Sequence, residues 1–204
     1  MTGGKTVETS RVGRPRSEKT RLAILEAAAD LLVEGGFSAI TIESIAARAG
    51  VSKVTIYKWW PSRGSVAIDA YFHRFRQTLT FPDTGNVAED LLAQMLILIG
   101  AFRGRAGEIM AELIGQAQSD PELADTIRTG WMQPRREVTA LVIQRAIDRG
   151  ELRPGLTIPI LMDELYGPIY FRLITRYEPL SDEFAQELVR NTLEGVLSTR
   201  SSIK

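Results

Sequence analysis

The stretch Thr41–Trp60, TIESIAARAGVSKVTIYKWW, constrains this chain more than any other, because its pattern is met by two short helices joined by a tight turn. Thr41 is placed to cap the first helix: its side-chain oxygen can accept from a backbone N–H one turn on, and Ile42, Ile45, Ala46 and Ala49 then recur on one face. Gly50 supplies the positive φ that a reversal needs, Val51 plugs the junction, and Ser52 caps a second helix running to about Lys58. In a helix-turn-helix the second helix lies in the DNA major groove, so its outward residues should be polar, basic or aromatic. Ser52, Lys53, Thr55, Tyr57 and Lys58 fit. Ile45, Ala46, Val51 and Ile56 are core rather than contacts, since without them so small a unit has nothing to bury.

The succession of Thr41, Ile45-Ala46-x-x-Ala49-Gly50-Val51-Ser52, Thr55-Ile56-Tyr57, Trp60 and Pro61-Ser62-Arg63 resembles the TetR family of bacterial transcriptional repressors. The likeness is close from Glu18 to Phe72 and softer beyond. Trp59-Trp60 stands where many members have His-Phe, and Arg63 where many have Lys; a bulky ring still wedges the junction and a cation still meets a phosphate. The resemblance implies an all-α fold of about nine helices. A three-helix, homeodomain-like unit would precede a helical effector-binding and dimerisation domain, and the partners would be double-stranded operator DNA, a small effector and a second copy of the chain.

Composition narrows the alternatives. With no cysteine and one histidine among 204 residues, disulfide staples, thiol chemistry and Cys/His zinc sites are set aside, and no cofactor is called for. The longest apolar run, Met95–Ile99, is too short to span a bilayer, and the N-terminus lacks the apolar core of a secretion signal, so the expectation is a cytoplasmic protein with no membrane partner. Net charge is zero, yet Met1–Gly64 carries ten Lys/Arg against six Asp/Glu and Ser65–Lys204 fifteen against nineteen. A basic head on an acidic body suits a DNA reader with a separate regulatory part. An enzyme is not expected: Gly100–Gly107 matches neither the Walker nor the dinucleotide pattern, and the Asp69/His73 pair reads as a surface i,i+4 contact.

Taken in order, residues 1–16 read as a flexible basic arm whose Arg14 and Arg16 either enter the minor groove or belong to a solvated tail. Helices are expected over 17–33, 41–48 and 52–58, with a fourth from the Ser62 cap onward, giving a DNA-binding domain over 17–78. Phe81–Asn86 is turn-rich linker. Helices over 87–102, 106–118, 121–149, 158–176 and 182–198 fill a second domain over 79–204, with Pro134 kinking or dividing the long one.

Three sets of site residues follow. On DNA, Thr41, Ser52, Tyr57, Lys58 and Arg63 would anchor phosphates while Lys53, Val54 and Thr55 face base edges. Bulky, adaptable side chains suited to an effector pocket are Phe72, Phe75, Met95, Phe102, Met110, Leu113, Trp131 with Met132, and Tyr166, though core packing is the better reading of any single one; a buried Trp131 would need an N–H partner. Leu161, Leu165, Ile169 and Leu173, with Leu188 and Val196, form stripes that either build a two-fold four-helix bundle or pack within the chain, and Gly167 and Gly195 would permit close approach. Repressor and activator are not separable by sequence, and a non-specific architectural DNA binder is the rival reading.

Overall fold

The computed structural model describes residues 14–75 and 82–196, and the described residues are helices and connecting loops. Helix α1 (Arg14–Gly35) begins three residues before the expected start at residue 17. Pro15 is compatible with that start, because a first-turn residue has no intrahelical N–H bond to lose. The side chains of Arg14 and Arg16 lie outside the described residues. Helix α1 buries Ile24, Leu25, Ala28, Ala29 and Leu32, and a 3₁₀ turn at Phe37–Ala39 returns the chain to that core.

Helix α2 (Ile42–Ala49) starts at a capping box in which Thr41 Oγ1 accepts from the Ser44 N–H at 2.9 Å and Ser44 Oγ accepts from the Thr41 N–H at 3.0 Å. Gly50 ends it with φ 65°, and α3 (Lys53–Tyr57) begins at the Ser52 cap. Ile45, Ile56 and Trp60 close the core of the unit. The Trp60 indole N–H donates to Asp69 at 2.7 Å, so Asp69 is not the partner of His73; packing of α4 on α1 sets the His73 Nε2 against Glu26 at 2.7 Å.

Helix α4 (Arg63–Arg74) packs on α1 and leads out of the unit. Past the loop come α5 (Val87–Phe102), α6 (Arg105–Ala117), α7 (Pro121–Ile127), α8 (Gln133–Asp148), α9 (Ile158–Thr175) and α10 (Asp182–Val196). Asp83 holds the described part of that loop by pairing with Arg145 and Arg149, and Thr84 bonds Asp90. A π-helical turn, Arg128–Met132, joins α7 to α8, so these three segments run on as one rod and the described chain has nine. Pro134 explains the turn: it cannot donate to the carbonyl four residues back, and a wider i→i+5 turn admits its ring.

Two polar contacts clasp the halves. Arg105 of α6 donates to the Val33 and Leu32 carbonyls at 2.9 and 3.2 Å, at the negative end of α1. Glu112, two turns further along the same face of α6, accepts from the Phe37 N–H at 3.0 Å. Only glycine allows this at position 36, where φ is 67° and ψ −163° and an added Cβ would lie 2.2 Å from the Glu112 carboxylate.

Candidate DNA-reading surface and effector cavity

Helix α3 is a single turn and a half, held from below by Ile56 at 0% exposure and capped by Ser52, whose Oγ accepts from the Thr55 N–H at 3.2 Å. Its outer surface presents Lys53, Val54 at 69% exposure, Tyr57 at 54% and Lys58. Thr55 is half-buried and its hydroxyl bonds that of Ser52 at 2.9 Å. Lys53 pairs with Glu43 of α2, and this contact holds the Glu43 carboxyl below its ordinary range. Thr41 is half-buried with its hydroxyl engaged in the α2 cap, which leaves it less free than the α3 residues to meet a phosphate. Arg63 lies exposed in the first turn of α4, its guanidinium 4.6 Å over the Phe37 ring.

A cavity of about 60 Å³ opens among α5, α8 and α9. Gln94, Leu98, Arg135, Thr139, Met162 and Tyr170 line it, with Met132, Arg136 and Tyr166. Of the nine residues expected in an effector pocket, Met132 and Tyr166 line this space. Met95, Phe102, Met110 and Leu113 are buried in the core, and Phe72, Phe75 and Trp131 form an aromatic cluster behind the cavity wall. Trp131, 1% exposed, finds the partner its indole requires in the Tyr170 hydroxyl at 2.7 Å. Its ring lies parallel to Phe72 at 5.2 Å and edge-on to Tyr71 at 5.9 Å, while Arg135 stacks on it with Cζ 3.1 Å from a ring centroid. Tyr166 donates to Gln94 at 2.8 Å, and burial pushes its phenol up to about 12. Burial pushes the Arg135 guanidinium down to about 10.

The missed lining residues left a signal in the sequence: Trp131, Arg135 and Thr139 recur every four residues and share one face of the helix, so a charge was due to point inward.

Comparison with known proteins accounts for both halves. Residues 24–69 match the family described as bacterial regulatory proteins, tetR family, and residues 81–192 the tetracyclin repressor-like C-terminal domain. The chain belongs to the TetR family. It is a helix-turn-helix transcriptional regulator of that family, 41% identical over 193 residues to the HTH-type regulator YdeS of Bacillus subtilis, covering 95% of this chain and 98% of that one. A DNA-binding transcriptional repressor, TetR of Mycobacteroides abscessus, is 29% identical over 181 residues, 87% of this chain and 94% of its own. The crystal structure of the TetR family regulator SCO0332 superposes with a TM-score of 0.75 at 41% identity, covering 88% of this chain and all of that one.

In this TetR-family chain the stripe expected to face a second copy turns inward. Leu161, Leu165, Ile169 and Leu173 are at most 7% exposed, packed on the chain's own core, and have almost no surface left for a partner. Leu188 is half-buried against the same core, and the Val196 side chain lies outside the described residues. The reason is that α9 is apolar on two opposite faces. Ile160, Phe171 and Ile174, between 47% and 57% exposed, stand on the outer face with Gly167, where an added Cβ would meet no atom within 4 Å; Gly195 of α10 is equally open. No helix among the described residues is long and apolar enough to cross a membrane.

Proposed function

We propose that this regulator is a cytoplasmic homodimeric repressor that binds a near-palindromic operator and is released by a small apolar or amphipathic effector. The observation that carries the reading is the exposed set Lys53, Val54, Tyr57 and Lys58 on a helix anchored by a buried Ile56. Lys53 and Val54 face base edges, with Thr55 beside them; Tyr57, Lys58 and Arg63 take phosphates, and Ser52 and Thr41 contribute from the cap positions. Lys53 has to leave Glu43 to reach a guanine, so the carboxylate both holds the lysine in place before binding and repels a misplaced phosphate.

Pairing of two chains through the outer face of α9 and the neighbouring surface of α10 would cover Ile160, Phe171 and Ile174 and set the two recognition helices about 34–36 Å apart, or a multiple of that. The cavity beside Arg135 is the effector site in this reading. An effector that favours the wrong spacing by about 1–3 kcal/mol changes DNA affinity several-fold to a hundred-fold. The repressor in Mycobacteroides abscessus, related over most of its length, supports this sign of regulation.

A mobility-shift titration on the DNA upstream of the chain's own coding region tests the proposal. Retardation should survive excess scrambled competitor; equal competition by scrambled DNA would support a non-specific architectural binder instead.

A further inference from the structure

The cavity holds an unsatisfied cation. Arg135 is half-buried on α8, its Nε–H has no hydrogen-bond partner, and no ion pair to it is found among the described residues. Among the described residues its guanidinium makes one hydrogen bond, a long 3.4 Å contact to the Trp131 carbonyl. Arg136, the other cation at the cavity, is already paired with Asp163 at 2.5 Å and bonded to the Pro159 carbonyl at 3.2 Å. The Tyr71 hydroxyl is also buried, without a hydrogen-bond partner among the described residues. Buried charges are ordinarily paired, and leaving one unpaired is costly. Around this cation the wall is mainly apolar.

We propose that the effector is an amphipathic anion whose carboxylate pairs with the Arg135 guanidinium while its apolar body lies against Leu98, Met132, Met162 and Tyr170. The planar fork of arginine matches a carboxylate in two parallel bonds, which a lone point charge would not. Gln94 and Thr139 stand at the same cavity as neutral polar groups and add no competing negative charge. The proposal rests on the reading of this cavity as the effector site.

The probes are acetate, hexanoate and decanoate, each against the primary amide of equal length, titrated into the full chain by calorimetry and by NMR of arginine Nε–H groups. Arg135→Lys assigns the Arg135 resonance by deleting it. The expected result is that at least one carboxylate saturates with a shift of that resonance and binds at least tenfold more tightly than its amide. Arg135→Met should erase the preference, and Arg135→Lys, which keeps the charge without the fork, should retain a reduced one and reports even where the Met variant fails to fold. Equal binding of acid and amide, or no carboxylate that moves the Arg135 resonance, overturns the proposal. Operator release is read separately in the mobility-shift assay. A carboxylate bound through Arg135 that leaves operator bound would sink the effector reading alone, whereas release by amides as well as acids would sink the anionic proposal alone.

Discussion

Replacement of Gly36 by alanine tests the joint between the DNA-reading unit and the regulatory half. At φ 67° and ψ −163° the residue occupies a region that L side chains almost never adopt, at a backbone cost of about 1–3 kcal/mol. The new Cβ would also meet the Glu112 carboxylate at 2.2 Å, and since that group ends a flexible side chain it swings away and gives up the Phe37 N–H. Loss of a hydrogen bond to a partly exposed carboxylate adds about 1–1.5 kcal/mol. Gly36→Ala should therefore lose about 2–4 kcal/mol in urea unfolding, or roughly 6–12 °C in Tm, measured at one fixed protein concentration. Glu112→Ala alone should lose about 1 kcal/mol, the hydrogen bond only. In the Glu112→Ala background, Gly36→Ala should cost about 1 kcal/mol less than in the parent, because the carboxylate is no longer there to displace. A cost below about 0.5 kcal/mol, or the same cost in both backgrounds, refutes the reasoning from the close approach.

Three further outcomes are expected. Lys53→Ala should change which operator variants are preferred, whereas Arg63→Ala should weaken all of them alike and reduce the salt slope by about one unit; equal effects on every variant in both mutants would contradict the assignment of base and phosphate contacts. Phe171→Asp should convert the proposed dimer to single chains in sedimentation and lower operator affinity at least about a hundred-fold, since it plants a charge in the apolar face that would be covered; an unchanged dimer places the interface elsewhere. Trp131→Phe keeps a ring against Phe72 but leaves the Tyr170 hydroxyl without its donor, so stability should fall by about 1 kcal/mol in urea unfolding, and no loss at all would argue against the importance of that bond.

Local chemistry made the DNA-reading unit legible. The Thr41, Ser52 and Ser62 caps and the Gly50 stop depend only on residues three or four positions away, and each stands where the pattern put it. The helices from Val87 to Val196 were equally readable, because Asn86, the Asp120-Pro121 pair and the Arg149-Gly150 step punctuate them. Which face of a helix turns inward was harder. On α9 two apolar faces compete, and only packing on α6, α8 and α10 decides that Leu165 goes in and Phe171 stays out. At the cavity, size and adaptability pointed to Met95 and Met110, which proved to be plain core, while the polar side chains that shape the space, Arg135 and Gln94, are set by which helices meet there.

Trp131 joins the cavity to the DNA-reading unit through direct contacts. Its ring touches Arg135 on the cavity side and Tyr71 and Phe72 on the other, and both aromatics belong to α4, the helix whose first residue is Arg63. A carboxylate that drew the guanidinium off the indole would remove a cation–π contact worth about 0.5–2 kcal/mol. That is within the range of allosteric couplings, about 1–3 kcal/mol, and would serve the proposed release to the extent that the contact differs between the DNA-bound and released states. The π turn is also a favourable place for the displacement to pass. Its backbone already departs from the α ladder, and Gly130 within it packs on Phe72 and Ile68 of α4, at 3.6 and 3.8 Å from an ideal Cβ, so a displacement of the turn would be felt directly by that helix. In the proposed release, movement of α4 would reach α3 through the hydrogen bond from Trp60 to the exposed Asp69, which ties the end of the recognition segment to the middle of that helix.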